Sequence, residues 1–168
     1  MKSDDVFVPL TGGCKCGAVR FRMEAAPMIT HCCHCRSCQR ISGSAFGINA
    51  MVERDRLTML EGTPEPFLGP DDGRMLRCPA CRSTLWAYHR HFGEAVAFVG
   101  VGMLDEGERL APEAHYFIRS KHPWIVLPAD IPAFDELGDP GKPGLRERVM
   151  AALASPAALP DRSDRAPD

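Results

Sequence analysis

The sequence predicts a mainly β domain, for three reasons. Short alternating apolar runs recur along the chain, and turn residues separate them. At 168 residues the chain fits one domain with a hydrophobic core of its own. Its eight cysteines fall into two spaced pairs and one dense cluster, which indicates metal sites rather than the disulfides that staple a small coreless protein. A β framework around metal sites is therefore expected.

Taken in order, the elements begin with a glycine-framed turn at residues 12–17. In the run that follows, Val19, Phe21 and Met23 alternate with polar side chains, as in a half-buried strand. Residues 37–41 suit a short helix, which Ser42-Gly43-Ser44 would end. The strands predicted beyond this helix cover residues 46–52, 57–60, 85–88, 94–101 and 115–118.

The sequence also predicts turns between the strands and a tail after the domain. Residues 61–64 form a predicted turn and 70–73 a loop. We expect one domain over 1–137 and a tail over 138–168, in which a short amphipathic helix spans 145–153 and the last dozen residues are disordered.

Net charge and hydropathy limit which partners and which cellular compartment are expected for the protein. The formal net charge of -2 gives no electrostatic reason to expect nucleic acid or an anionic membrane. No stretch approaches a membrane span, and the first five residues do not resemble a signal peptide. We expect a cytoplasmic protein, where thiols stay reduced and eight cysteines more often bind metal than pair.

Two cysteine pairs predict a structural zinc site. Cys14 and Cys16 are spaced so that both project to one side of an extended segment, and Cys78-Pro79-Ala80-Cys81 is a CxxC turn whose sulfurs converge. Four thiolates on one ion make a closed tetrahedral site that ties the first strand to the middle of the domain. Two buried disulfides are the alternative, but a CxC pair bridges internally only with difficulty.

A second metal site is expected in the run from His31 to Cys38. Cys33, Cys35 and Cys38 supply three ligands, which leaves a fourth position on zinc, as in catalytic sites. Adjacent residues of an extended segment point to opposite sides, so Cys32 is expected to be a small buried side chain rather than a ligand. Two alternatives stay open: Cys32 closes the site, or the spacing Cys32, Cys35, Cys38 holds an iron–sulfur cluster.

These motifs together resemble the glutathione-dependent formaldehyde-activating family, which includes centromere protein V. The resemblance rests, over residues 10–137, on the CxC turn with its glycines, Cys33-His34-Cys35-x-x-Cys38-x-Arg40, Ser42-Gly43-Ser44-Ala45-Phe46, Cys78-Pro79-x-Cys81 and Lys121-x-Pro123-Trp124. One departure is Arg82, where the family has glycine; another is the extra Cys32.

The resemblance implies a mainly β fold of several coiled sheets, shared with methionine sulfoxide reductase B and translationally controlled tumour protein. It implies two zinc ions per chain, a structural one on Cys14, Cys16, Cys78 and Cys81 and a catalytic one on Cys33, Cys35 and Cys38. A labile second ion would favour a lyase over a binding module. It also implies a carbon–sulfur lyase that adds a thiol such as glutathione to formaldehyde or a related small aldehyde, or removes it.

Side chains around the second site suggest supporting roles. His34 either shuttles a proton or only donates a hydrogen bond beside the metal. Arg36, Arg40 and Lys121 are candidates to bind the carboxylates of glutathione, although exposed arginines are more often solvated surface. Trp124 is a candidate wall of the substrate site, or a core residue.

His89 and His91 are interpreted as structural. Two other classes of function remain: a zinc-stabilised binding module in which both sites are structural, and a chromatin-associated relative, which the acidic balance disfavours. The residues identify neither the electrophile, the thiol nor the oligomeric state.

Overall fold

The computed structural model describes residues 7–69 and 73–155, and it confirms a mainly β architecture. Most of the predicted loop at 70–73 and the predicted disordered end lie outside these residues. The strands are β1 Leu10–Gly13, β2 Arg20–Met23, β3 Ile29–Cys33, β4 Gly47–Glu53, β5 Leu57–Glu61, β6 Glu65–Leu68, β7 Arg74–Arg77, β8 Thr84–Tyr88, β9 Val96–Gly100 and β10 Ala114–Tyr116; the α-helices are α1 Arg36–Ser42 and α2 Leu145–Ala154.

The strands form two sheets. A three-stranded antiparallel sheet has the order β1-β2-β5, and a seven-stranded sheet has the order β10-β3-β4-β9-β8-β7-β6. All pairs of the larger sheet are antiparallel except β10 with β3, which run parallel. This parallel pair brings residues 114–116 beside the cysteine-rich strand β3.

The main core lies between the two sheets. The predicted alternation in β2 is confirmed, since Phe21 and Met23 are fully buried. The ring of Phe21 packs edge-on against Trp86 of the larger sheet, at a centroid distance of 5.6 Å. Ala50 and Val52 of β4 belong to the same cluster. Burial of large aromatic rings contributes strongly to the stability of such a core.

A second cluster lies on the opposite face of the larger sheet, where α2 covers it. Leu145, Val149 and Ala152 of α2 pack against this cluster, which includes Met28, Ile29 and Met51. Arg148 of α2 also binds Glu53 through two nitrogens, at 2.8 and 2.7 Å. The predicted helix is therefore confirmed, and it packs on the β domain.

The predicted strand at 115–118 is shorter than expected. It ends at Tyr116 because Phe117 adopts the left-handed conformation, with φ 58°, and a 3₁₀ turn Ile118–Ser120 follows. Among the described residues, no helix has the length and hydrophobicity needed to cross a bilayer.

Candidate metal centres

Two groups of sulfur atoms converge in the folded chain, in the sets that the spacing predicts. The first comprises Cys14, Cys16, Cys78 and Cys81, whose Sγ atoms all lie within 4.8 Å of one another. The Sγ atoms of Cys14 and Cys16 are 3.5 Å apart, and those of Cys16 and Cys78 are 3.8 Å apart. Tetrahedral zinc with bonds of ~2.3 Å holds sulfurs about 3.8 Å apart, so this group fits zinc.

Two tight turns present these four sulfurs. The first joins β1 to β2, where the Cys14 N–H donates to the Val19 carbonyl oxygen at 3.0 Å and Gly17 has φ 81°. The second joins β7 to β8 and is closed by the Arg82 N–H, which donates to the Cys78 carbonyl oxygen at 3.0 Å. Because β2 and β8 lie in different sheets, an ion held by these four sulfurs would cross-link the two sheets.

Arg82 occupies a left-handed position in the second turn, with φ 63°. Glycine adopts this conformation without steric cost, whereas other residues pay for it. The turn forms nonetheless, and the Arg82 guanidinium binds Glu65, which also binds Arg77 at 2.8 Å. The departure from the family pattern therefore leaves the four-sulfur geometry intact.

The second group comprises Cys33, Cys35 and Cys38, whose Sγ atoms likewise lie within 4.8 Å of one another. Cys33 ends β3, Cys35 caps the N-terminus of α1, and Cys38 lies in the first turn of that helix. Within residues 7–69 and 73–155, this group has no fourth histidine, cysteine or carboxylate ligand. Three sulfurs at this spacing fit a zinc ion that keeps one position for another ligand.

Hydrogen bonds among the three thiols stabilise Cys35 as a thiolate. The pKa of Cys35 falls to about 2 because it accepts hydrogen bonds from Cys33 and Cys38 and from backbone N–H groups at the start of α1. The Cys38 N–H lies 3.3 Å from Cys35 Sγ. The pKa of Cys33 rises in turn to about 12, chiefly through its hydrogen bond to Cys35. The hydrogen bonds from the other two thiols, with smaller contributions from the backbone N–H groups, therefore stabilise the Cys35 thiolate, which is the form that binds metal.

Cys32 does not join this group. It is 3% exposed and pairs in register with Ile48 and His115, whereas Cys33 pairs with Gly47 and Tyr116. Neighbouring residues of a strand face opposite sides of the sheet, so the two sulfurs diverge. The expectation that Cys32 is a small buried side chain is confirmed.

Gln39, which the sequence analysis did not single out, fixes the backbone between two of the sulfurs. Its Nε2 donates to the carbonyl oxygen of His34 at 2.7 Å and to that of Ser120 at 3.1 Å. Its Oε1 accepts from Arg36 Nη1 at 2.8 Å. The side chain is 8% exposed, so a buried amide links the cysteine cluster to the segment that begins at Ser120.

His34 is fully buried on the other face of the sheet from Cys33. Its Nε2 lies 3.1 Å from Nδ1 of His115, and its ring packs against Phe46. Burial lowers the pKa of His34 to about 4, with smaller contributions from His115 and Lys121. The imidazole is therefore neutral near pH 7 and has a protein partner.

The four expected substrate contacts have different environments. Arg36 and Arg40 are exposed at the start and end of α1, and Arg36 holds Gln39. Lys121 Nζ donates to the carbonyl oxygens of His122 at 3.2 Å and Ile125 at 2.6 Å. Trp124 is 68% exposed and stacks on His122, so it is not a core residue.

His89 and His91 lie outside the second sulfur group. Their rings pack edge to face at 4.8 Å, and the His91 N–H donates to His89 Nδ1 at 3.3 Å. His89 also packs against Phe92 and Phe98. These contacts support the structural interpretation of both histidines.

Comparison with known proteins gives one family and distant relatives. The sequence profile of the family described as glutathione-dependent formaldehyde-activating enzyme matches residues 9–120. A protein of Halomonas elongata, provisionally named a glutathione-dependent formaldehyde-activating enzyme, is 25% identical over 132 residues, which cover 70% of this chain and 80% of that protein. A crystal structure of a Rhodobacter sphaeroides protein superimposes with a TM-score of 0.46 at 20% identity, covering 57% of this chain and 88% of that one.

Proposed function

The chain belongs to the family of glutathione-dependent formaldehyde-activating enzymes, and we propose that it is a zinc-dependent carbon–sulfur lyase. In this proposal the Cys14, Cys16, Cys78 and Cys81 site is structural, and the Cys33, Cys35 and Cys38 site is catalytic. The substrates are a small thiol, with glutathione as the first candidate, and formaldehyde or a related small electrophile.

The observation that carries the proposal is the three-sulfur geometry of the second site. Three ligands converge while Cys32, the one further thiol in the same strand, faces the other side of the sheet. A zinc site that only stabilises the fold normally has four protein ligands, as the four-sulfur site does. Cys35 and Cys38 are partly exposed, so a substrate in solvent can reach them.

The reaction needs a thiolate next to an electrophilic carbon. Bound zinc supplies a Lewis-acid position that favours the thiolate form of an incoming thiol. Three anionic ligands leave that centre a weaker Lewis acid than one on neutral histidines, which favours thiol exchange over water activation. Sulfur attack on formaldehyde gives a hydroxymethyl thioether, and the reverse reaction breaks the carbon–sulfur bond.

The other expected residues take supporting roles in this proposal. We assign His34 a positioning role, because its Nε2 is committed to His115 and its ring is inaccessible to solvent. Lys121 holds its own loop through the His122 and Ile125 carbonyls. Arg40 is exposed next to the cluster and is the candidate for a glutathione carboxylate.

The test compares Cys35→Ser with Cys32→Ala. We expect Cys35→Ser to lose one of two zinc ions per chain and all turnover of S-hydroxymethylglutathione, with an unchanged near-ultraviolet circular dichroism spectrum. Cys32→Ala should keep both ions and its turnover. Two zinc ions that neither exchange with added thiol nor support turnover would instead favour a non-catalytic zinc-binding module.

A further inference from the structure

Cys35 and Cys38 of the second sulfur group form a CxxC pair where α1 begins. Cys35 caps the helix and Cys38 lies in its first turn. The Cys38 N–H lies 3.3 Å from Cys35 Sγ, and the two Sγ atoms are within 4.8 Å of each other. Side chains three residues apart on a helix have Cβ atoms about 5–6 Å apart, and a disulfide needs about 3.5–4.5 Å. A bond between these two sulfurs therefore requires side-chain rotation and only a small movement of the backbone.

The other two thiols of this region are less suitable partners. Cys33 and Cys35 are spaced CxC, and such a pair bridges internally only with difficulty. Cys33 is also 7% exposed, and its strand is held in register between β4 and β10. Cys32 is 3% exposed and faces the opposite side of the sheet. Geometry therefore favours the pairing of Cys35 with Cys38.

Solvent reaches both sulfurs of this pair, since Cys35 and Cys38 are partly exposed. Exposure alone would not single them out, because Cys16 of the four-sulfur group is exposed and its Sγ lies 3.8 Å from that of Cys78. The two groups differ in the number of ligands that they offer. An ion in the second group is held by three sulfurs instead of four, so the thiols of this group are free of metal more often.

We propose that Cys35 and Cys38 form a site of reversible oxidative modification, in which a hydroperoxide joins their sulfurs as a disulfide. The disulfide removes two of the three sulfur ligands of the second group and leaves Cys33 alone. Protein zinc sites need three or four ligands, so oxidation releases the ion from this group. The inference goes beyond the proposed function, because the disulfide forms whether or not the zinc-loaded site is a lyase.

Atoms and electrons balance with the hydroperoxide as the one co-reactant. The Cys35 sulfur attacks the terminal oxygen of the hydroperoxide, the oxygen–oxygen bond breaks, and the leaving oxygen takes the thiol proton to give an alcohol. Cys35 is then a sulfenic acid. The Cys38 sulfur attacks the Cys35 sulfur, the sulfur–oxygen bond breaks, and the hydroxyl group leaves with the Cys38 proton as water. The two sulfurs lose two electrons in total, and the hydroperoxide gains two.

The backbone around the pair should survive this reaction. The Gln39 amide holds the carbonyl oxygens of His34 and Ser120, and neither hydrogen bond involves a sulfur. The four-sulfur group lies in the turns between β1 and β2 and between β7 and β8, and it shares no ligand with the second group. A dithiol reductant should therefore reopen the disulfide and restore the three-sulfur group.

Zinc release and disulfide mapping test the proposal on the zinc-loaded full chain. Hydrogen peroxide is added at one equivalent in the presence of a chromophoric chelator. We expect each chain to lose one zinc ion, and dithiothreitol followed by zinc to restore it. After denaturation and alkylation, trypsin cuts behind Arg36, between the two cysteines, so their disulfide links peptide 23–36 to peptide 37–40. Fragmentation of the linked peptides should show Cys32 and Cys33 alkylated.

Two variants control for the choice of sulfurs. Cys32→Ala removes a buried thiol on the other face of the sheet, and it should lose one zinc ion and form the disulfide as the wild type does. Cys38→Ser leaves Cys35 without a partner. We expect no disulfide in this variant and recovery of Cys35 as a sulfinic acid, which dithiothreitol does not reverse.

The outcomes separate this inference from the proposed function. Peroxide that first joins Cys16 to Cys78, that joins Cys33 to Cys35, or that leaves Cys35 and Cys38 unlinked would overturn the proposal. A Cys35–Cys38 disulfide in a protein that keeps both zinc ions would overturn the release of metal. Turnover of the untreated protein is measured in parallel: its absence would overturn the proposed function, while formation of the disulfide would still support this inference.

Discussion

Replacing Gln39 with methionine tests how the fold holds the cysteine cluster. The substitution keeps a side chain of similar length and volume, but it removes the hydrogen bonds to the carbonyl oxygens of His34 and Ser120 and the one accepted from Arg36. Since His34 lies between Cys33 and Cys35, the lost contact acts on the backbone that spaces two sulfurs. The substitution should therefore lower both the affinity for zinc and the free energy of unfolding.

The magnitude follows from burial. Gln39 is 8% exposed, and each of its two donated bonds contributes about 1 kcal/mol, so their loss should lower the free energy of unfolding by about 2 kcal/mol. Arg36 is exposed, so its guanidinium can bond to water in place of Gln39. The loss of this hydrogen bond therefore adds little to the decrease in unfolding free energy. Loss of a group that orients metal ligands typically lowers metal affinity by about 10- to 100-fold.

Two measurements check this prediction. Urea unfolding at a fixed zinc concentration gives the free energy of unfolding, and transfer of zinc to a chromophoric chelator gives the affinity of each site. Only the ion held by Cys33, Cys35 and Cys38 should leave Gln39→Met faster than it leaves the wild-type protein. Ile41→Met introduces the same side chain at an exposed position of α1 and should match the wild type.

A Gln39→Met protein whose unfolding free energy lies within about 0.5 kcal/mol of the wild type, and whose two zinc ions leave at wild-type rates, would show that Gln39 does not order the cluster. Faster loss of the ion on Cys14, Cys16, Cys78 and Cys81 would also contradict the prediction, because Gln39 bonds to no residue of that site.

Three further substitutions test other parts of the structure. Arg82→Gly relieves the left-handed backbone and should raise the unfolding free energy by about 0.5 kcal/mol with zinc content unchanged; loss of zinc would contradict the turn geometry. Arg148→Ala leaves Glu53 unpaired and should cost about 1 to 3 kcal/mol in urea unfolding, whereas no cost would mean that α2 is not docked. Lys121→Met releases the His122 and Ile125 carbonyls and should speed hydrogen exchange in that loop; unchanged exchange would show that Lys121 does not hold it.

Local patterns predicted the features that depend on nearby residues. Alternation predicted the buried positions Phe21 and Met23, and the cysteine spacing predicted both sulfur groups. Gly43 ends α1 in the left-handed conformation, as the sequence Ser42-Gly43-Ser44 indicates. Most of these outcomes depend on residues close in sequence; the exception is the four-sulfur group, in which Cys16 meets Cys78 across 62 residues.

Features that depend on distant residues were not predictable. Gln39 reaches Ser120, and His34 reaches His115, each across 81 residues of sequence. Trp124 is exposed and lies within the loop that Lys121 closes onto the Ile125 carbonyl oxygen, a contact that no periodicity reveals.

In the proposed function, Cys33, Cys35 and Cys38 hold a zinc ion whose fourth position receives the substrate thiol. A crystal structure of the zinc-loaded protein with glutathione tests it most directly. The glutathione sulfur should lie ~2.3 Å from an ion held by these three sulfurs, with Cys32 still buried on the opposite face. An ion whose fourth ligand is Cys32, or glutathione bound away from the ion, would rule out this catalytic site.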